Sequence, residues 1–225
     1  MRDVAIVINA RSSSTRLPKK LVRDFVDTTL LDIALSKLSL ISAKEKYLAA
    51  TDDDVLKIYE PYQQKIGLLS RTKESVAKGE RNHSIAFAHY KNVKSNYILI
   101  MNPCHPFSCI QTYTDAIQYF QNNPHIETLT SVVNENNIFF DYKGNQINMI
   151  DPDRVSTKMV HPLKSMAHVF HIINRDRLFS TGKIWTYSEN DPAFFEISKG
   201  ESFDIDDLED FKICEALYKG GHCSD

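Results

Sequence analysis

The chain has 225 residues, 42% of them hydrophobic, and a formal net charge of −2. That length and apolar content suit one sizeable domain with its own core, and the near-balanced charge argues against the broad basic face of a nucleic-acid binder. No run of about 18 apolar residues argues for a membrane span, and Arg2 and Asp3 lead straight into an apolar stretch without a secretory pattern.

In chain order, residues 4–8 (Val-Ala-Ile-Val-Ile) read as a buried strand. A loop follows over residues 9–20. Residues 29–38 have helical leucine spacing, with Asp27 or Thr28 as the expected cap. Residues 47–51 form a short strand, followed by Asp52-Asp53-Asp54 and a helix to about Gln64. Residues 66–69 read as strand and 83–90 as helix behind Arg81, with Asn82 as its cap. Residues 97–101 are a strongly apolar strand, and Pro103 and Pro106 bracket a turn before a helix over 110–120. Residues 126–133 are strand-like, and 139–147 read as a hairpin turning at Lys143-Gly144-Asn145. Strands at 169–173 and 194–197 precede a helix over 208–218. Such alternation predicts an α/β fold whose mostly parallel sheet is covered on both faces, with ligands at the carboxyl ends of its strands.

The loop after the first strand carries the clearest chemistry. Ala10-Arg11-Ser12-Ser13-Ser14-Thr15-Arg16-Leu17-Pro18-Lys19-Lys20 holds four hydroxyls and four cations in a chain of balanced charge. Arg offers planar forks of donors and Lys point charges, both suited to a polyphosphate. The loop has no glycine, so it is neither a P-loop nor a dinucleotide fingerprint, and its side chains must contribute much of the binding.

A second constellation lies near the other end, in Ser202-Phe203-Asp204-Ile205-Asp206-Asp207-Leu208-Glu209-Asp210. In an extended segment residues i and i+2 share a face, so Asp204 and Asp206 present paired carboxylates while Ile205 turns inward. Like charges that close favour an intervening cation, and Mg²⁺ takes one or two carboxylates with substrate phosphate oxygens. Helix capping by Asp206 or Asp207, with Glu209 or Asp210 as capping-box partner, is the competing use of the same residues, and both can hold together. Cys104, Cys109, Cys214 and Cys223 have no metal-binding spacing and read as reduced thiols of a cytoplasmic protein. His168 and His171 flank two apolar residues; in a regular strand they point to opposite faces, which argues against a shared metal site. Trp185 with Phe170, Phe194 and Phe195 reads as core or subunit interface.

Ala10-Arg11-x-x-Ser14-x-x-Leu17-Pro18-x-Lys20 resembles the opening motif of the sugar cytidylyltransferases that make CMP-sialic acid and CMP-Kdo. Further landmarks follow in order. Ala50-Thr51-Asp52-Asp53 is similar to that family's Ser-Thr-Asp stretch, and Arg71 with Glu74 to its Arg-Pro-x-Glu segment. Asn102-Pro103-Cys104-His105-Pro106 stands for Gln-Pro-Thr-Ser-Pro, and Phe203-Asp204-Ile205-Asp206 with Asp210 resembles the metal-binding Asp-Ile-Asp motif.

The resemblance implies a Rossmann-like, GT-A-like three-layer sandwich forming a single domain over 1–225. A small hairpin region at about 135–170 would project from it and contribute to a homodimer. It implies Mg²⁺-dependent transfer of CMP from CTP to an acidic sugar, nonulosonate-like or a related 2-keto acid, for surface glycan synthesis. By position, Arg11, Lys20 and Asp206 would be catalytic. Ala10, Ser12, Ser13, Ser14, Arg16, Asp52, Arg71 and Ser84 would join Arg11 and Lys20 in binding the nucleotide. Asp204 and Asp206 would hold Mg²⁺, and Asn102, His105 and His171 would meet the acceptor.

Departures from the family pattern fall in both halves, with the nucleotide half better preserved than the acceptor half. Thr15 replaces a Lys, with Arg16 adjacent; Leu21 replaces an Asn; Ser108 follows Pro106-Phe107 where an Arg is usual. Ala167-His168-Val169-Phe170-His171 stands in place of an Asn-Gly-Ala-x-Tyr strand. The competing expectations are another nucleobase such as UTP, an erythritol-phosphate cytidylyltransferase (a class that usually opens with a glycine-rich loop), or a non-catalytic nucleotide-sugar-binding homologue.

Overall fold

In the computed structural model the first apolar run is strand β1, Val4–Asn9, with five of its six residues buried. The structure describes residues 2–72, 75, 82–151 and 153–221. Strand β1 lies inside a seven-stranded sheet with β4 (Lys46–Ala50), β5 (Gly67–Ser70), β6 (Tyr97–Met101), β7 (Leu129–Glu135), β8 (Leu163–Asn174) and β9 (Ala193–Glu196). The order is β5-β4-β1-β6-β8-β7-β9. Strands β5, β4, β1 and β6 run parallel, β8 is antiparallel to both β6 and β7, and β9 is parallel to β7. Short strands β2 (Asp24–Phe25) and β3 (Thr28–Thr29) pair separately.

A strand with helices on both faces must be apolar on both, as the unbroken run at 4–8 foretells. Val4, Ile6 and Ile8 join a core cluster with the helices α1 (Leu30–Leu40), α4 (Ile110–Asn122) and α6 (Leu208–Lys219), along with Val55 of α2 (Asp53–Tyr59). Ala5 and Val7 face the opposite layer, built from a 3₁₀ segment at Ala88–Asn92 and α5 (Arg175–Thr181). The resulting three layers are the expected α/β sandwich.

Local expectations shift in instructive places. The cap of α1 is Thr29, which accepts from the Asp32 amide; neither Asp27 nor Thr28 fills that role. Helix α2 ends at Tyr59 and tightens into a 3₁₀ turn at Glu60–Tyr62, because Pro61 lacks the amide an α-helix needs there. Helical expectation at 83–90 splits into α3, His83–Ala86, and the 3₁₀ segment, while Asn82 does cap α3. The turn at 141–145 forms as expected, with Phe140 bridged to Gln146. Strand β8 extends from Leu163, so the segment outside the sheet between β7 and β8 ends at 162, short of 170. Helix α5 was missed altogether. Glu74, Arg81 and Cys223 lie outside the described residues.

Candidate active site

The site forms where β1, β4 and β6 end. Asn9, the last residue of β1, donates its amide to the Tyr90 hydroxyl at 2.6 Å, and its carbonyl oxygen meets His89 Nε2 at 2.8 Å. The loop beyond is folded on itself, since the amides of Ser14 and Lys19 both donate to the Ser12 carbonyl at 3.0 and 3.1 Å. Lys19 takes a left-handed backbone, φ 59, to close it. Asp52 accepts from the Ser12 amide at 2.6 Å, and Asp54 accepts from its hydroxyl. Ser12 is thus occupied in shaping the loop, not free as a donor. Ala10 is buried against β4, whereas Arg11 and Ser13 are exposed. Among the described residues the side chains of Arg11, Ser13 and Ser14 make no hydrogen bond.

Lys20 and Arg16 turn from this loop onto the distant acidic segment. Lys20 is buried, donates to the Ile205 carbonyl and sits 3.5 Å from Asp206. Arg16, well exposed, approaches the same Asp206 oxygen at 2.6 Å. The 204–206 stretch is extended as expected: Ile205 is fully buried and its amide donates to the Cys104 carbonyl at 3.1 Å. Asp204 has one buried oxygen with no hydrogen-bond partner among the described residues. Burial, and then the charge of Asp206, raise its carboxyl above the usual range. The cap of α6 is Asp207, accepting from the amides of Glu209 and Asp210, while the Asp210 carboxylate accepts from Asp207 and from Asp206. Capping and the half-buried carboxylate pair therefore coexist.

The opposite wall corrects an expectation. His168 and His171 do not point to opposite faces. The β7–β8 register shifts between Thr130 and Val132, and His168 takes φ 57. That bulge resets the alternation and brings His168 Nδ1 to 3.3 Å from His171 Nε2. Thr130 Oγ1 meets His171 Nδ1 at 2.7 Å. Burial, then the neighbouring His168, push His171 down to about 3 and His105 down to about 4. His105 stands 3.8 Å from Asp204. Asn102 spends its amide on the His168 carbonyl and its carbonyl on the Cys104 amide. Arg16, Asn102, His168, His171, Asp204 and Asp206 line one open cleft of about 460 Å³ together with Asn9.

Arg71 is mostly buried, donates to the Ser75 carbonyl at 2.8 Å, and keeps a buried Nε without a hydrogen-bond partner among the described residues. Burial lowers its pKa, and it lies within electrostatic reach of Arg11, Asp52 and Tyr90. The same burial, then the Arg71 charge, hold His89 neutral with a pKa near about 3. Ser84 is not drawn into this group; its amide and hydroxyl both donate to Asn82. Sequence reasoning missed Asn9, His89 and Tyr90, whose signal is a polar residue ending a buried strand and a polar pair inside an apolar helix. Trp185 is buried as expected, edge-on to His171 at 5.3 Å, but Phe194 is half exposed.

A family model described as Cytidylyltransferase matches residues 5–219. The chain belongs to the cytidylyltransferase family. It is accordingly a CTP-dependent nucleotidyltransferase. No curated protein sequence matches it. Among solved structures it is similar to CMP:2-keto-3-deoxy-manno-octonic acid synthetase complexed with CTP, at 14% identity and TM-score 0.71, covering 97% of this chain and 99% of that one. It is also similar to 4-diphosphocytidyl-2C-methyl-D-erythritol synthase from Anaerococcus prevotii, at 12% identity and TM-score 0.63, covering 97% and 96%. A cytidylyltransferase from Leptospira borgpetersenii matches at 18% identity and TM-score 0.61, covering 98% of this chain and 88% of that one. These likenesses are of fold, and they agree with the mostly parallel sheet described above.

Proposed function

We propose that this cytidylyltransferase transfers CMP from CTP to an oxygen of a small acidic sugar, nonulosonate-like or a related 2-keto acid, releasing pyrophosphate. The product would be an activated sugar for surface glycans. The observation that carries the reading is the meeting of Arg16 and Lys20 with Asp204 and Asp206 beside the end of β1. Without nucleotide, the cations and Asp206 neutralise one another. A triphosphate offers the cations a stronger anion and releases the carboxylates for a metal.

The residues fit Mg²⁺. Asp204 keeps a buried oxygen that no hydrogen bond among the described residues satisfies, and the crowding of two carboxylates is what a divalent cation relieves. Asp204 and Asp206 would hold it, and when bound it would neutralise charge on the phosphoryl oxygens. Lys20, fixed by the Ile205 carbonyl and shielded from water, stabilises charge that develops as the α–β phosphate bridge breaks. Arg16 and Arg11 are exposed and would take up charge on the departing pyrophosphate, while Arg71 would attend the nucleoside end with Asn9, His89 and Tyr90. The reaction itself demands alignment: the acceptor oxygen gains the α-phosphorus as the bridging bond is lost, and its proton leaves to solvent.

A synthetase of CMP:2-keto-3-deoxy-manno-octonic acid among the similar structures supports the acidic-sugar acceptor. One observation favours a second acceptor class, a polyol phosphate: the likeness to the erythritol synthase. The segment between β7 and β8 exposes Phe140, Tyr142, Ile147, Ile150 and Val155, which suits a homodimer contact. Cys104 and Cys214, neither of them in a disulfide, suit a reducing cytoplasm.

The test is a thermal-shift comparison of CTP, UTP, ATP and GTP, each with and without Mg²⁺. Ligand at about 100 times its Kd stabilises by roughly 2.7 kcal/mol, several degrees for a domain of this size. A selective CTP shift is expected, followed by acceptor-dependent pyrophosphate release with 2-keto acid sugars and not with polyol phosphates. A larger shift with another nucleotide, or release with the phosphates alone, would overturn the reading.

A further inference from the structure

The His168–His171 pair is built at some cost, and nothing in the nucleotide chemistry uses it. His168 holds a left-handed backbone, φ 57, which a residue with a Cβ adopts only when its surroundings impose it. Two features impose it here: the register shift opposite Thr130 and Val132, and the Asn102 amide donating to the His168 carbonyl at 3.1 Å. Their combined effect is to set His168 Nδ1 and His171 Nε2 3.3 Å apart at the cleft wall.

That separation matches the edge of a tetrahedral metal site. Two imidazole nitrogens bound to one Zn²⁺ at 2.0–2.1 Å lie about 3.3 Å from each other. The second ring nitrogen of His171 faces Thr130 Oγ1 at 2.7 Å. An oxygen partner on the far nitrogen is the usual support of a metal-binding imidazole, because it sets the tautomer and leaves the other lone pair free. Donation of the Nδ1 proton to Thr130 leaves Nε2 unprotonated and turned toward His168.

We propose that His168 and His171 form a binding site for a borderline divalent transition metal of the Zn²⁺ or Ni²⁺ type, separate from the Mg²⁺ carboxylates. Imidazole pairs select such ions over Mg²⁺, which prefers oxygen. Among the described residues no group of three His, Cys, Asp or Glu side chains converges, so the protein supplies two donors and the remaining positions open into the cleft. Those positions suit oxygen donors of a hydroxy- or keto-acid; this last step rests on the acceptor proposed above, whereas binding of the metal alone does not.

Trp185 reports on the site directly. It is the single tryptophan of the chain and packs edge-on against the His171 ring at 5.3 Å. Untagged protein titrated with NiCl₂ should lose Trp185 fluorescence along a saturable curve at one ion per chain. ZnCl₂ should displace the Ni²⁺ and restore the signal, and millimolar MgCl₂ should not. His168→Gly removes one ligand at an exposed position while giving the left-handed backbone the residue that tolerates it best, so the fold persists. It should weaken Ni²⁺ binding by at least about tenfold, and Thr130→Val by about tenfold. Asp206→Asn should leave the Ni²⁺ affinity unchanged. Non-saturable quenching, or an affinity untouched by His168→Gly, would reduce the pair to a hydrogen bond between two imidazoles. Loss of Ni²⁺ binding in Asp206→Asn would assign the ion to the carboxylates, and either result overturns the proposal. Because no nucleotide is present, failure here leaves the CTP reading standing.

Discussion

Acidification should destabilise this protein well above the carboxylate range, because His89 and His105 are buried, and His171 half-buried, in their neutral form. Burial lowers the pKa of His89 to about 3, of His105 to about 4 and of His171 to about 3. In the unfolded chain each returns to about 6.5. The folded values are depressed, so the unfolded state binds more protons and the stabilisation is complete only above pH ~6.5. It is lost progressively as pH falls toward the folded values. Between pH 7.5 and 5.5 each unfolded imidazole takes up a proton that its folded counterpart refuses, a loss of about 1.3 kcal/mol per residue and about 4 kcal/mol for the three. Asp204, whose pKa is raised by burial and by the charge of Asp206, acts in the opposite sense. Urea unfolding followed through Trp185 at half-unit steps measures the effect, and His89→Gln should reduce the pH slope by about one third. A free energy that is flat from pH 7.5 to 5.5, or falls with less than one proton's slope, would refute the assignment of neutral buried imidazoles.

Lys20→Ala should lower CTP turnover by roughly 100-fold or more, the scale of removing a fixed donor from a charge-developing site; near-normal rates in a pyrophosphate assay would remove Lys20 from the mechanism. Asp206→Asn should raise the Mg²⁺ concentration needed for half-maximal activity, while Asp207→Ala should cost about 1 kcal/mol of stability as a lost cap and leave that metal titration unchanged. Asp191 accepts from Thr128, Thr186 and Arg177, hydrogen bonds that outweigh its burial and hold it at about 2. Asp191→Ala strands the Arg177 guanidinium and should cost about 3–5 kcal/mol, read as a fall in melting temperature; a shift within error would contradict the geometry.

The α/β alternation was legible because helix and strand periods are written locally, residue by residue, and β1 showed its double-sided burial in an unbroken apolar run. The cationic loop and the Asp204–Asp206 pair were legible for the same reason, since each is a short stretch whose chemistry depends on neighbours in sequence. Helix α5 was not, because Arg175–Thr181 carries only Leu178 as a fully buried anchor and has almost no period to read. Distance along the chain is what sequence alone leaves undecided. Arg16 meets Asp206 across 190 positions, and Asn9 meets Tyr90 across 81, only because parallel strands gather their carboxyl ends at one edge. The relation of His168 to His171 was decided by tertiary structure in the same way. Alternation within one strand separates them, and a register shift against the neighbouring strand joins them, so the pairing lies in β7 as much as in the residues themselves.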